Sequence, residues 1–175
     1  GEAGKSGTVT LFRRDRSEAP AAFAAHKDAV YALAFGPDGG TLATAGYDRA
    51  VRLWDVGGDK PPTAPRLTLT DHSDAVYAVA WSPDGKRLAS GSADRAVKVW
   101  EAATGKRLYT LADATDWVYA VAWSPDGKHL AAAGADKSVR VWEVGPDGGK
   151  LVRAAFAHEK PVWRLAYSPD GARLY

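Results

Sequence analysis

The residues best equipped for chemistry are His72, Ser90 and Asp94: an imidazole, a hydroxyl and a carboxylate. Written as a bare set they make a hydrolase triad of base, nucleophile and orienting acid. The same trio stands at His26, Thr44 and Asp48, and each copy is followed by a tryptophan, Trp54 or Trp100. A catalytic site is single and asymmetric, so a set that recurs at fixed spacing belongs to a repeated unit. Ser90 also lies inside a β-rich run and not on a strained, exposed elbow. The trio therefore reads as a structural network, and no enzyme is expected.

The other chemistry-bearing patterns are weaker. His26, His72 and His158 occupy equivalent slots one repeat apart, and His129 stands alone. With no cysteine in the chain, neither a metal site nor a cofactor is expected. Gly4-Lys5-Ser6 imitates the end of a phosphate loop, but Gly1 precedes Gly4 by three residues where the motif needs five. Lys and Arg number 23 against 21 Asp and Glu, and the basic residues are spread along the chain, so nucleic acid is not an expected partner. The densest basic run, Arg13 to Arg16, is broken by Asp15 and reads as a solvated turn. No apolar run approaches the ~20 residues of a membrane span and no signal peptide is visible, so no membrane partner is expected. The compartment is left open, with the cytoplasm favoured. The start at Gly1 without a methionine suggests a processed or excised piece.

The elements that hold these residues repeat. AVYAVAWSPDGKRLASGSADRAVKVW, from Ala75 to Trp100, is preceded by a near copy from Ala29 and followed by another from Trp117. Aromatic residues ending the third run of each copy fall at Phe12, Trp54, Trp100 and Trp142, a period of about 42–46 residues. The extra length of the first full copy lies in GGDKPPTAPR, Gly57 to Arg66, a Gly- and Pro-rich loop insertion. Within a copy, Val76 to Trp81 reads as a strand buried on both faces. Ser82-Pro83-Asp84-Gly85 is a tight turn in which Pro presets φ and Gly supplies a positive φ. Arg87 to Ser90, Ala96 to Trp100 and Arg107 to Leu111 then complete a four-stranded antiparallel meander.

VAWSPDG, LASGSAD and VKVWE together resemble the WD-repeat β-propellers, and the likeness covers essentially the whole chain. Trp54-Asp55 matches the eponymous dipeptide, while Trp100-Glu101 and Trp142-Glu143 vary it. The resemblance implies an all-β fold of four-stranded blades and a buried hydrogen-bond network in each blade. His26, Thr44, Asp48 and Trp54 fill that network in one blade, and His72, Ser90, Asp94 and Trp100 in the next. The third keeps Asp136 and Trp142 but carries Ala114 and Ala132 where the partners belong. Its polar atoms need other partners, and this blade is expected to be less rigidly pinned.

One repeat domain, 1–175, is expected. Residues 1–25 hold the third and fourth strands of a split blade, with Thr8 to Phe12 and Ala21 to Ala24 as strands. Residues 26–71, 72–113 and 114–157 are full blades. Residues 158–175 supply the first and second strands of the split blade, at Val162 to Tyr167 and Ala172 to Tyr175. Joining such halves removes open sheet edges. Four blades closing alone must each turn a quarter of a circle, whereas eight turn an eighth. The small inner residues Ala32, Ala34, Ala78, Ala80, Ala120 and Ala122 suit the thinner wedge. A homodimer that exchanges half-blades and closes an eight-bladed ring is therefore expected.

In the family, the slot after the first-strand Val lies on the top face near the central opening. Here it holds Tyr31, Tyr77, Tyr119 and Trp163, with Tyr47 and Trp117 close by in sequence. These six are the candidate contacts for an unknown protein or peptide. A non-catalytic interaction scaffold is the expected function. The alternatives are a recently duplicated structural unit without an evolved ligand, or a sensor or docking part of a larger bacterial protein such as a kinase.

Overall fold

A computed structural model describes residues 6–12 and 20–175. Gly4-Lys5 and Arg13 to Arg16, both singled out above, lie outside them. All the strands are antiparallel and pair with their sequence neighbours. A two-stranded unit comes first: β1 (Gly7–Leu11) and β2 (Ala21–His26). Three four-stranded sheets follow. They are β3 (Val30–Phe35), β4 (Thr41–Gly46), β5 (Val51–Asp55) and β6 (Leu67–Leu69); β7 (Val76–Trp81), β8 (Arg87–Ser92), β9 (Val97–Glu101) and β10 (Arg107–Leu111); and β11 (Val118–Trp123), β12 (His129–Gly134), β13 (Ser138–Val144) and β14 (Gly149–Phe156). Among the described residues there is no helix.

The turns explain this regularity. Gly85 has φ +68° and donates its N–H to the Ser82 carbonyl at 2.9 Å, while the Ser82 hydroxyl donates to Asp84. Each second turn places a non-glycine residue in the left-handed region, Arg49, Arg95 or Lys137 at φ 64–67°. The preceding aspartate stabilises that turn by accepting the next backbone N–H, as Asp94 does from Ala96 at 3.1 Å.

The core lies between sheets. Val51, Leu53 and Leu69 of the first sheet pack with Val76, Val79 and Leu88 of the second. Val97, Val99 and Leu111 of the second pack with Val118, Val121 and Leu130 of the third. Phe23 and Val9 join Leu42 and Trp54. Indole hydrogen bonds tie successive inner strands, from Trp81 to the Ala34 carbonyl at 3.0 Å and from Trp123 to the Ala80 carbonyl at 3.1 Å. Such sheet-on-sheet stacking leaves a face bare at each end of the stack. Leu33 and Phe35 on β3 are 55% and 58% exposed, whereas Val79, in the Leu33 slot one blade on, is 8% exposed. At the other end Leu151, Val152 and Phe156 of β14 are also exposed.

Residues 162–175 form a turn closed by one bridge, Tyr167 to Leu174, and a pair of Ala166–Tyr175 backbone hydrogen bonds, in place of two full strands. A hairpin with no third strand beside it is marginal, which accounts for the short ladder. It is nonetheless seated on the third sheet. Val162 is buried and donates its N–H to the Gly134 carbonyl at 3.0 Å.

Candidate functional site

Two sets of residues converge, one buried and one exposed. In the buried set, Trp100 donates its indole N–H to Ser90 Oγ at 2.8 Å. Ser90 Oγ lies 2.7 Å from His72 Nε2, and His72 Nδ1 lies 2.7 Å from Asp94. An indole only donates and a carboxylate only accepts, so Trp100 donates at one end of the chain and His72 donates from Nδ1 to Asp94 at the other. The first sheet repeats the contacts with Trp54, Thr44, His26 and Asp48 at 3.0, 2.7 and 2.7 Å, and Arg52 also reaches His26 Nδ1 at 2.6 Å and Asp48 at 2.8 Å. Burial pushes His26 below its usual pKa, against the opposing pull of Asp48. Burial alone would raise Asp48, but the hydrogen bonds from His26 and Arg52 outweigh it and hold the carboxyl low. Ser90 and Thr44 are wholly buried, which leaves no path for a substrate to either hydroxyl.

The third sheet solves the same problem differently. Trp142 donates to Asp113 at 2.7 Å, and Asp136 accepts from Arg140 at 2.6 Å and from the Thr115 backbone N–H at 3.1 Å. Asp113 is a loop residue in the slot of Asp71, just before the lost histidine position, and nothing in the sequence marked it as the acceptor of the indole. Among the described residues His158 and His129 join no such network. Among the described residues no group of three His, Cys, Asp or Glu is placed to hold a metal.

The exposed set is a ladder of rings. Each inner strand slips register around one residue, between Val30 and Ala32, Val76 and Ala78, and Val118 and Ala120. The residue at each slip is Tyr31, Tyr77 or Tyr119, and such bulges re-aim a side chain out of the pleat. Sheet stacking then brings the rings together. Tyr31 and Tyr77 lie 4.9 Å apart, Tyr77 and Tyr119 5.2 Å, and Tyr119 stacks on Trp163 at 4.3 Å and 13°. Tyr47 meets Tyr31 edge-on at 6.3 Å, and Trp117 reaches Tyr77 and Tyr119 at 6.0 and 6.2 Å. All six sequence candidates thus form one connected row. Tyr31, Tyr47, Trp117 and Trp163 remain exposed within it. The ladder borders a cleft of about 1050 Å³ walled by Ala78, Val79, Ala120 and Val121.

Carboxylates accompany the ladder. Asp28, Asp74 and Asp116 precede the three inner strands, and each accepts the next backbone N–H at 2.7–2.8 Å. Burial first, then the Tyr47 phenol and Asp28, raises the pKa of Tyr31. Burial and then Asp116 do the same to Tyr119. The sequence signal was present as DAVY, DAVY and DWVY, three residues from acid to tyrosine.

A family model described as WD domain, G-beta repeat, matches residues 18–55, 63–101 and 105–143, more than half of the chain. The chain belongs to the WD40 repeat family. A solved structure described as a mitotic checkpoint complex contains a WD40 neighbour with TM-score 0.78 and 35% identity, covering 87% of this chain. The chain spans 47% of that neighbour. The U5 small nuclear ribonucleoprotein 40 kDa proteins of Homo sapiens and Mus musculus are 53% identical over 34 residues, which is 19% of this chain and 10% of each relative. WD40 repeats are generally non-catalytic and serve as protein-interaction scaffolds. The fold described above is a stack of WD40 blades.

Proposed function

We propose that this WD40 chain is a docking module without chemistry of its own, and that the aromatic ladder is the surface a protein or peptide partner contacts. The observation that carries this is the connected row Tyr47, Tyr31, Tyr77, Trp117, Tyr119 and Trp163. It keeps four of its rings open to solvent although they pack on one another. Large rings with polar tips, held rigid by their neighbours, lose little entropy on binding. Selection from a displayed peptide library tests it. Selected peptides are expected to lose at least ~10-fold in affinity on Trp117→Ala and Trp163→Ala, with Tm nearly unchanged. Peptides indifferent to both changes, with Tm falling sharply, would make the ladder a packing feature.

A second reading concerns assembly, and a separate observation favours it. Leu33 and Phe35 at one end of the stack, and Leu151, Val152 and Phe156 at the other, are exposed on faces that are covered in the middle sheet. The β1–β2 unit offers the outer half of a blade, and the seated turn over 162–175 offers the inner half. Exchange of these halves between two chains covers both faces and closes eight blades with twofold symmetry.

A further inference from the structure

We propose that the ladder recognises a cationic segment, with Arg or Lys side chains lying over the rings and their charges met by Asp28, Asp74 and Asp116. This rests on the docking role of that face. The electron-rich faces of the exposed rings Tyr31, Tyr47, Trp117 and Trp163 attract guanidinium and ammonium groups. The carboxylates sit three residues before the tyrosines, anchored by their own backbone hydrogen bonds, so acid and ring alternate at one spacing from blade to blade. Among the described residues, no ion pair engages Asp74 or Asp116, and both are exposed. Burial chiefly raises the phenols of Tyr77 and Tyr119, and Asp74 and Asp116 add to the same direction. The acids accompany the three tyrosines; beside the fourth ring, Trp163, Lys160 stands in the aspartate's place and Arg164 lines the cleft, while Arg49, Arg95 and Lys137 stand in the turns between second and third strands. Beside Tyr31, Tyr77 and Tyr119 an acidic peptide or a phosphate backbone would meet repulsion from these carboxylates.

The test is calorimetric titration of the intact protein with an alternating Arg-Gly octapeptide and its Lys, Gln and Glu counterparts. A single-stranded oligonucleotide serves as a fifth ligand. Arg and Lys peptides are expected to bind, and Asp74→Asn with Asp116→Asn to weaken them about 10-fold and flatten their salt dependence, Tm being unchanged. Binding of the Gln or Glu peptide with equal strength overturns the charge assignment and leaves the face a docking surface. Preference for the oligonucleotide overturns it in favour of base stacking. Absence of binding by all five overturns the cationic inference and the docking role together.

Discussion

Trp142 gives its indole proton to Asp113 at 2.7 Å, whereas Trp100, one blade earlier, gives the same proton to Ser90 at 2.8 Å. Ala114 and Ala132 stand where the histidine and the hydroxyl of the earlier blade stand, and they line a narrow crevice beside Asp136 and Trp142. Ala114→His with Ala132→Ser is expected to rebuild the network. Because the two groups satisfy each other, the double variant should exceed the sum of the singles by ~1–2 kcal/mol in urea unfolding. Strict additivity would mean that the crevice does not bring the new groups together.

Ser90 joins the Trp100 indole to the His72 ring in a wholly buried place. Ser90→Ala leaves both unpaired and is expected to cost ~2–3 kcal/mol. Ser90→Thr, the residue used by the preceding blade, should retain most of the stability. Equal loss from both variants would point to volume and not to the hydroxyl.

Acid should weaken the first full blade. His26 is held below its ordinary 6.5, chiefly by burial, so the folded state favours the neutral ring. Its contribution is complete above pH 6.5 and is lost as pH falls from there through the lowered value. Asp48 and Asp94, held below 3.8, add a second loss as pH falls beneath that value. Urea midpoints taken between about pH 7.5 and 5 should therefore decline, and decline less in His26→Asn. A midpoint that rises on acidification would reverse the assignment of the histidine.

Tyr167 occupies the slot of Trp81 and Trp123, yet its hydroxyl is buried without a hydrogen-bond partner. The tryptophans use that slot to reach the carbonyl of Ala34 or Ala80. Tyr167→Trp is expected to reach Ala122 likewise and to slow amide exchange over residues 162–175, by about the 0.5–1.5 kcal/mol of one net hydrogen bond. Unchanged exchange would show that the turn is not held through this slot.

Much of this was readable in advance, for local reasons. β7 and β10 begin and end where the residue pattern placed them: the PDG turn ends β7, and a turn with Gly105 at φ +74° precedes β10. The paired networks of His26 and His72 were readable because two intact copies exposed the departures of the third. The bulges at Tyr31, Tyr77 and Tyr119 were not, since one extra residue in the pairing leaves the run of β-forming residues unbroken. Asp113 as the acceptor for Trp142 was hidden too, being a loop residue brought near by the fold. Over 162–175 the residues favour strand, but a strand needs a neighbour to form its ladder.

Exchange of half-blades is tested most directly by the solution mass, measured by light scattering during size-exclusion chromatography across a dilution series. Twice the single-chain mass of 18.6 kDa is expected, with Leu33→Glu or Phe35→Glu shifting it towards one chain. A mass of 18.6 kDa at every concentration would contradict the exchanged, eight-bladed ring.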